Sequence, residues 1–189
     1  MTAGLDEAER ATLLRLARAS LRESLGDGGV LGAELERSEL TPALRASRGA
    51  FVSLKRPSES GRQTLRGCVG SLSTGAALYR NVIDVAKKSA FEDPRFPSLT
   101  AEELREVRIE ISALTPRRAV AGPQEIEIGL HGVQLKKGAA SAIFLPQVAV
   151  EQRWNVETLL RQLARKAGLA EDEWRAAELQ VFEAQVFGE

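Results

Sequence analysis

Leu65-Arg66-Gly67-Cys68-Val69-Gly70 is an extended run that sets the only cysteine of the chain among glycines. Just upstream, Gly49 to Lys55 alternates Ala50, Val52 and Leu54 with Phe51, Ser53 and Lys55, and the turn-forming stretch Pro57-Ser58-Glu59-Ser60-Gly61 separates the two runs. Period-two alternation marks a half-buried strand, and two such runs around a turn predict an antiparallel hairpin. With alternation carried through the second strand, Leu65, Gly67 and Val69 face one way and Thr64, Arg66 and Cys68 the other. Arg66 and Cys68 then share a face at about 7 Å, close enough for the guanidinium to favour a thiolate.

Helical signals surround this hairpin. Asp6-Glu7-Ala8-Glu9 reads as a capping box ahead of Leu14, Ala17, Leu21 and Leu25, and Gly26 ends that helix. Val30 to Arg48 has no clean period and reads as irregular with a short helix. Gly75 to Phe91 carries Tyr79, Val82, Ile83, Ala86 and Ala90 at helical spacing, and Asp93-Pro94-Arg95-Phe96-Pro97 follows as a stiff loop. Thr100 and Glu103 predict a brief capped helix, and Val107 to Ala113 alternates as a strand. Ile126 to Leu145 reads as a strand pair turning near Lys137 and Gly138, closed by Pro146. Asn155 caps a helix bearing Val156, Leu159, Leu160 and Leu163 that stops at Gly168. Glu178 to Phe187 reads as one last strand with a bulge near Glu183 and Ala184. Helices mixed with hairpins predict an α+β fold, with an antiparallel or mixed sheet flanked by helices. Residues 1–189 read as a single domain that holds a smaller lobe within it.

The 26 basic and 26 acidic residues cancel, so no global field recruits nucleic acid or an anionic membrane surface. The most hydrophobic run, Ala142 to Val150, is interrupted by Pro146 and is too short to span a bilayer. One cysteine cannot close an internal disulfide, and the N-terminal residues lack the basic and apolar regions of a signal peptide, so a cytoplasmic location is expected. There is no glycine-rich phosphate loop, dinucleotide fingerprint or serine-nucleophile elbow, and one cysteine with one histidine falls short of a metal ligand set. No cofactor and no metal are expected.

Several ordered stretches resemble a known family, AmmeMemoRadiSam system protein A, the domain named after the AMME chromosomal deletion region. They are the cysteine run, Phe91-Glu92-Asp93-Pro94-Arg95-Phe96-Pro97, Gly129-Leu130-His131-Gly132-Val133, Leu145-Pro146-Gln147-Val148-Ala149 and Lys166-Ala167-Gly168-Leu169. The resemblance covers nearly the whole chain. It implies an α+β fold with two lobes of unequal size. As partners it implies a Memo-like protein and a radical-SAM protein, with a small-molecule or protein substrate.

Two readings of Cys68 stand side by side: a nucleophile or redox thiol activated by Arg66, with His131 as its base, or a small hydrophobe buried in a strand. The first makes Cys68, Arg66 and His131 the candidate catalytic residues of an enzyme-like component with a thiol at a cleft. Gly67, Asp93, Arg95, Glu110 and Gln147 are the candidate substrate-binding residues. Asp93 and Arg95 either orient a substrate or pair with each other, and Glu110 faces either solvent or a cleft. The alternative is a non-catalytic adaptor that docks one of the partner proteins.

Overall fold

Asp6 starts the first helix, α1 (Glu7–Ser24), by a reciprocal cap: its carboxylate accepts the Glu9 N–H at 2.8 Å while the Glu9 carboxylate accepts the Asp6 N–H at 3.0 Å. The structure is a computed structural model that describes residues 4–58, 61–72 and 75–189. The expected turn between Pro57 and Gly61 therefore lies partly outside the described residues, at 59 and 60, as does the start of the N-terminal stretch, at 1–3.

The contacts divide the chain into two compact units, one made of the residues up to Leu114 together with Gln185–Glu189, the other of Thr115–Ala184. In the first unit, the stretch expected to be irregular with a short helix holds two helices, α2 (Val30–Arg37) and α3 (Pro42–Arg45). Both are too short for a period to show in sequence. Thr41 caps α3 through the Leu44 N–H, and Pro42 takes the first helical position, where its missing N–H costs nothing. The hairpin forms as expected from β1 (Ala50–Pro57) and β2 (Gln63–Ser71). Next come α4 (Leu78–Phe91), α5 (Ala101–Glu106), capped by Thr100 and Glu103, and β3 (Arg108–Leu114), antiparallel to β1.

The buried face of this sheet follows the alternation of β1. Ala50, Val52 and Leu54 are fully buried with Ile109 and Ile111 of β3, in one core with Leu13 and Leu16 of α1 and Val82 and Val85 of α4. Burying a side chain such as Leu54 or Ile111 contributes about 1.5–3 kcal/mol, so this layer fixes which face each residue of β1 presents. Phe51, Ser53 and Lys55 are left on the other face, only partly buried.

In the second unit, β4 (Arg118–Val120), β5 (Gly132–Lys137), β6 (Ala140–Phe144) and β7 (Glu178–Phe182) form a sheet ordered β4-β7-β5-β6. The expected strand pair is β5 and β6, and Gly138 turns between them at φ +59, a left-handed value that favours glycine. Pro146 opens α6 (Pro146–Glu151), and Asn155 caps α7 (Val156–Lys166). Leu159, Leu160 and Leu163 of α7 are buried in one cluster with Val133 and Leu135 of β5, and Trp154 packs against it, edge-on to Phe144.

One expectation is corrected here. The last strand is two strands, because the slip read as a bulge at Glu183 is the point where the chain leaves one sheet for another. Residues Glu178–Phe182 belong to the sheet of the second unit, whereas β8 (Ala184–Gly188) extends the first sheet, ordered β2-β1-β3-β8. A bulge and a change of sheet break the alternation alike, and only the pairing partners tell them apart. Among the described residues no helix is long and apolar enough to cross a membrane.

Candidate functional site

Cys68, Ser53 and Glu110 form a row straight across three strands of the first sheet, since Ser53 of β1 is registered against Cys68 of β2 on one side and Glu110 of β3 on the other. The row lies on the face opposite the helices, because its neighbours along β1, Val52 and Leu54, point into the core. Cys68 is partly exposed there, and the Ser53 hydroxyl donates to its Sγ at 3.3 Å. Beside the row, Lys55 Nζ donates to Glu110 Oε2 at 2.7 Å, both side chains being about one-third exposed. Glu110 therefore faces a polar, lysine-bearing surface. Ser53 and Lys55 were missed as site residues. Their signal was present, in the polar half of the β1 alternation next to the cysteine strand.

The backbone of Cys68 is held from outside the sheet. β2 is an edge strand, where N–H and C=O groups ordinarily lack partners. Asp93 Oδ2 accepts the Cys68 N–H at 2.9 Å, and Arg95 Nη2 donates to the Cys68 carbonyl at 3.2 Å. With both groups turned outwards, Cys68 and Ser53 make a non-hydrogen-bonded cross-strand pair, the kind that brings side chains closest. Asp93 is buried and takes two hydrogen bonds from the Arg95 side chain, at 2.9 and 2.7 Å. The Arg95 guanidinium, helped by the Cys68 and Arg95 backbone N–H groups and opposed by burial, holds the Asp93 carboxyl well below the usual carboxylate range. Of the two readings of this loop the structure shows the second: Asp93 and Arg95 pair with each other, and together they hold the backbone of Cys68.

From the core side β2 is fixed by α4. Ser89, fully buried, accepts the Val69 N–H at 2.9 Å and lies 2.8 Å from the Val52 and Val85 carbonyls. Gly67 sits against that helix so closely that a Cβ there would stand 2.1 Å from the Ser89 carbonyl oxygen. The glycine is thus explained by backbone approach, and its φ is not in the left-handed region.

Arg66 departs from the expected geometry. Leu54 pairs with Gly67 but Lys55 pairs with Leu65, so Arg66 is the extra residue of a β-bulge and the alternation that would put it beside Cys68 breaks there. Its Nε and Nη2 each donate to the Glu103 carboxylate at 2.8 Å, Nη2 also reaches the Pro97 carbonyl at 2.9 Å, and the side chain is 3% exposed. That pairing raises the Arg66 pKa and lowers that of Glu103. The cation beside the cysteine is Arg95. Both guanidinium groups lie near the Phe96 ring, with Arg66 Cζ 5.8 Å and Arg95 Cζ 5.4 Å from its centre.

His131 and Gln147 belong to the second unit. His131 Nδ1 accepts the Glu127 N–H at 3.1 Å just before β5, and Gln147 is the second residue of α6. The first unit brings together Cys68, Gly67, Asp93, Arg95 and Glu110. Among the described residues no group of three or more His, Cys, Asp and Glu side chains is placed to hold a metal ion.

A sequence model of the family described as AMMECR1 matches residues 14–187. The chain belongs to the AMMECR1 family. The matched span contains the whole Cys68 row and the Asp93–Arg95 clamp. Relatives of this AMMECR1 chain include a protein of Methanosarcina acetivorans, 37% identical over 191 residues that cover 98% of this chain and 94% of the relative. Protein MK0488 of Methanopyrus kandleri is 39% identical over 186 residues, covering 94% of this chain and 86% of the relative. Among solved structures, the crystal structure of the uncharacterized protein PH0010 from Pyrococcus horikoshii matches with a TM-score of 0.76 at 36% identity, over 94% of this chain and 89% of that one. The α+β architecture is thus shared between this AMMECR1 chain and a solved relative.

Proposed function

We propose that this AMMECR1 chain is a thiol-bearing, enzyme-like component of a radical-SAM-associated system, working beside a Memo-like protein and a radical-SAM protein on a small-molecule or protein substrate. The observation that carries the reading is the Cys68–Ser53 pair on the sheet face opposite the helices, with the cysteine backbone gripped by Asp93 and Arg95. A structural cysteine of a strand is packed among apolar groups, whereas this one is partly exposed and meets a hydroxyl. A donor fixed on sulfur supports negative charge as it develops there, which is the service a nucleophile needs. In the step proposed, Cys68 Sγ forms a bond to an electrophilic carbon of the substrate. The bond from that carbon to its leaving group breaks, and the thiol proton departs with the leaving group. Asp93 and Gly67 act as positioning residues. Arg95 and the Glu110–Lys55 pair supply charges of both signs to orient polar groups of the substrate.

The test is intact-mass analysis of the chain recovered from cells that also express the two partner proteins. A covalent adduct on the wild-type chain that maps to Cys68 and is missing from Cys68→Ser is expected. Co-purification of the partners with an unmodified Cys68 under turnover would favour a docking role without catalysis and overturn the nucleophile.

A further inference from the structure

In the first unit, α1, the turn that follows it and α5 line an open cavity of about 380 Å³. Its walls are of two kinds. Leu25, Ala101 and Leu104 give it an apolar side, and Arg18, Arg22 and Arg105 give it three guanidinium groups against one acid, Asp27. Small-molecule sites have roughly this size, and this one sets as many arginines as apolar residues on its walls, a more strongly charged lining than most. We propose that the cavity is a binding site for a small organic anion, an apolar body carrying a phosphate or carboxylate group, separate from the Cys68 face.

Arg18 is fixed in place. Its Nη1 donates to the Leu104 carbonyl at 2.9 Å, its Nη2 to the Val107 carbonyl at 2.7 Å, and it pairs with the Glu189 carboxylate. Arg22 is held by Asp27, with Nε donating to Oδ2 at 2.8 Å and Nη2 donating to the same oxygen. The Arg105 side chain has no hydrogen bond and no ion pair among the described residues. With Arg18 paired to Glu189 and Arg22 to Asp27, Arg105 is the guanidinium of this wall left to take an anion, and its fork suits the two oxygens of a phosphate or carboxylate. A second cavity, of about 800 Å³, shares Arg18 and Arg105 and adds Arg108 together with Glu106 and Glu189, so the concave surface continues past the first cavity with charges of both signs.

Isothermal titration of the full chain at low salt with inorganic pyrophosphate, and separately with citrate, tests the site and tells phosphate from carboxylate chemistry. Saturable binding of either probe is expected, weakened at least tenfold in Arg105→Ala and unchanged in Arg165→Ala, an exposed arginine of α7 in the second unit. Arg105 is exposed and unpaired, so its variant should keep the wild-type melting temperature. No saturable binding of either probe, or binding that Arg105→Ala leaves intact, or equal loss in both variants, would overturn the proposal. None of these outcomes depends on the reactivity of Cys68.

Discussion

Replacing Gly67 with alanine should damage the fold far more than replacing Cys68. The new Cβ would stand 2.1 Å from the Ser89 carbonyl oxygen and 3.1 Å from its carbon, where ordinary contact begins at 3.4 Å. The obstacle is helix backbone, so no side chain can swing aside, and α4 must retreat from β2 by about 1 Å or more. Overpacking of this kind costs about 1–3 kcal/mol. The retreat also stretches the Ser89 bonds to Val69 and Val52, each worth about 1 kcal/mol net. Together these give a loss of about 4 kcal/mol, which for a chain of this size lowers Tm by roughly 8–16 °C. Cys68→Ser changes a partly exposed atom and should stay within about 1 kcal/mol of wild type. Thermal melts followed by circular dichroism compare the two. A Gly67→Ala variant melting within about 2 °C of wild type would refute the close-approach reasoning.

Ser89→Ala removes the buried hydroxyl that accepts the part-buried Val69 N–H and should cost about 1–3 kcal/mol in urea unfolding, a loss below about 0.5 kcal/mol counting against the bridge. Arg66→Lys should lower stability by about 2 kcal/mol, because an ammonium cannot reproduce the two-pronged contact with Glu103, yet leave Cys68 alkylation within about twofold of wild type; a large fall in alkylation would restore Arg66 to the thiol site. Asp93 and Glu103 are both held below the ordinary carboxylate range, so each contributes stability that is fully present above a pH of about 4 and is lost as pH falls through the folded values. Urea midpoints taken from pH 7 down to pH 3 should therefore fall, and fall less steeply in Asp93→Asn; parallel curves would contradict the role of the Arg95 pair.

The sequence carried the local signals well and the long-range ones poorly. The caps at Asp6, Thr100 and Asn155 were legible because each is a contact between residues three apart. The hairpin was legible because Ala50, Val52 and Leu54 alternate without a slip. Arg66 was misplaced because a bulge shows only in pairing, Leu54 with Gly67 and Lys55 with Leu65, and no residue in the run announces it. Glu103 appeared as a helix cap, and that it also neutralises a guanidinium 37 positions away lies beyond any periodicity. Of the candidate site, Cys68, Asp93 and Arg95 could be picked out by residue type and loop stiffness, but the clamp they form spans 25 positions of chain between Cys68 and Asp93. Ser53 was hidden because a serine on the polar side of a strand looks like any solvated residue until the register sets it against the cysteine.

The most direct measurement is the alkylation rate of Cys68 by iodoacetamide in the folded protein at neutral pH, set against the urea-unfolded chain and against Ser53→Ala. As the chain has one cysteine, the readout is unambiguous. The folded wild type should react faster than the unfolded chain, and Ser53→Ala should react about tenfold more slowly than wild type, since one hydrogen bond to charged sulfur is worth about 1.5 kcal/mol. A Cys68 that reacts only after unfolding, or at the same rate with and without the Ser53 hydroxyl, would contradict the thiol site.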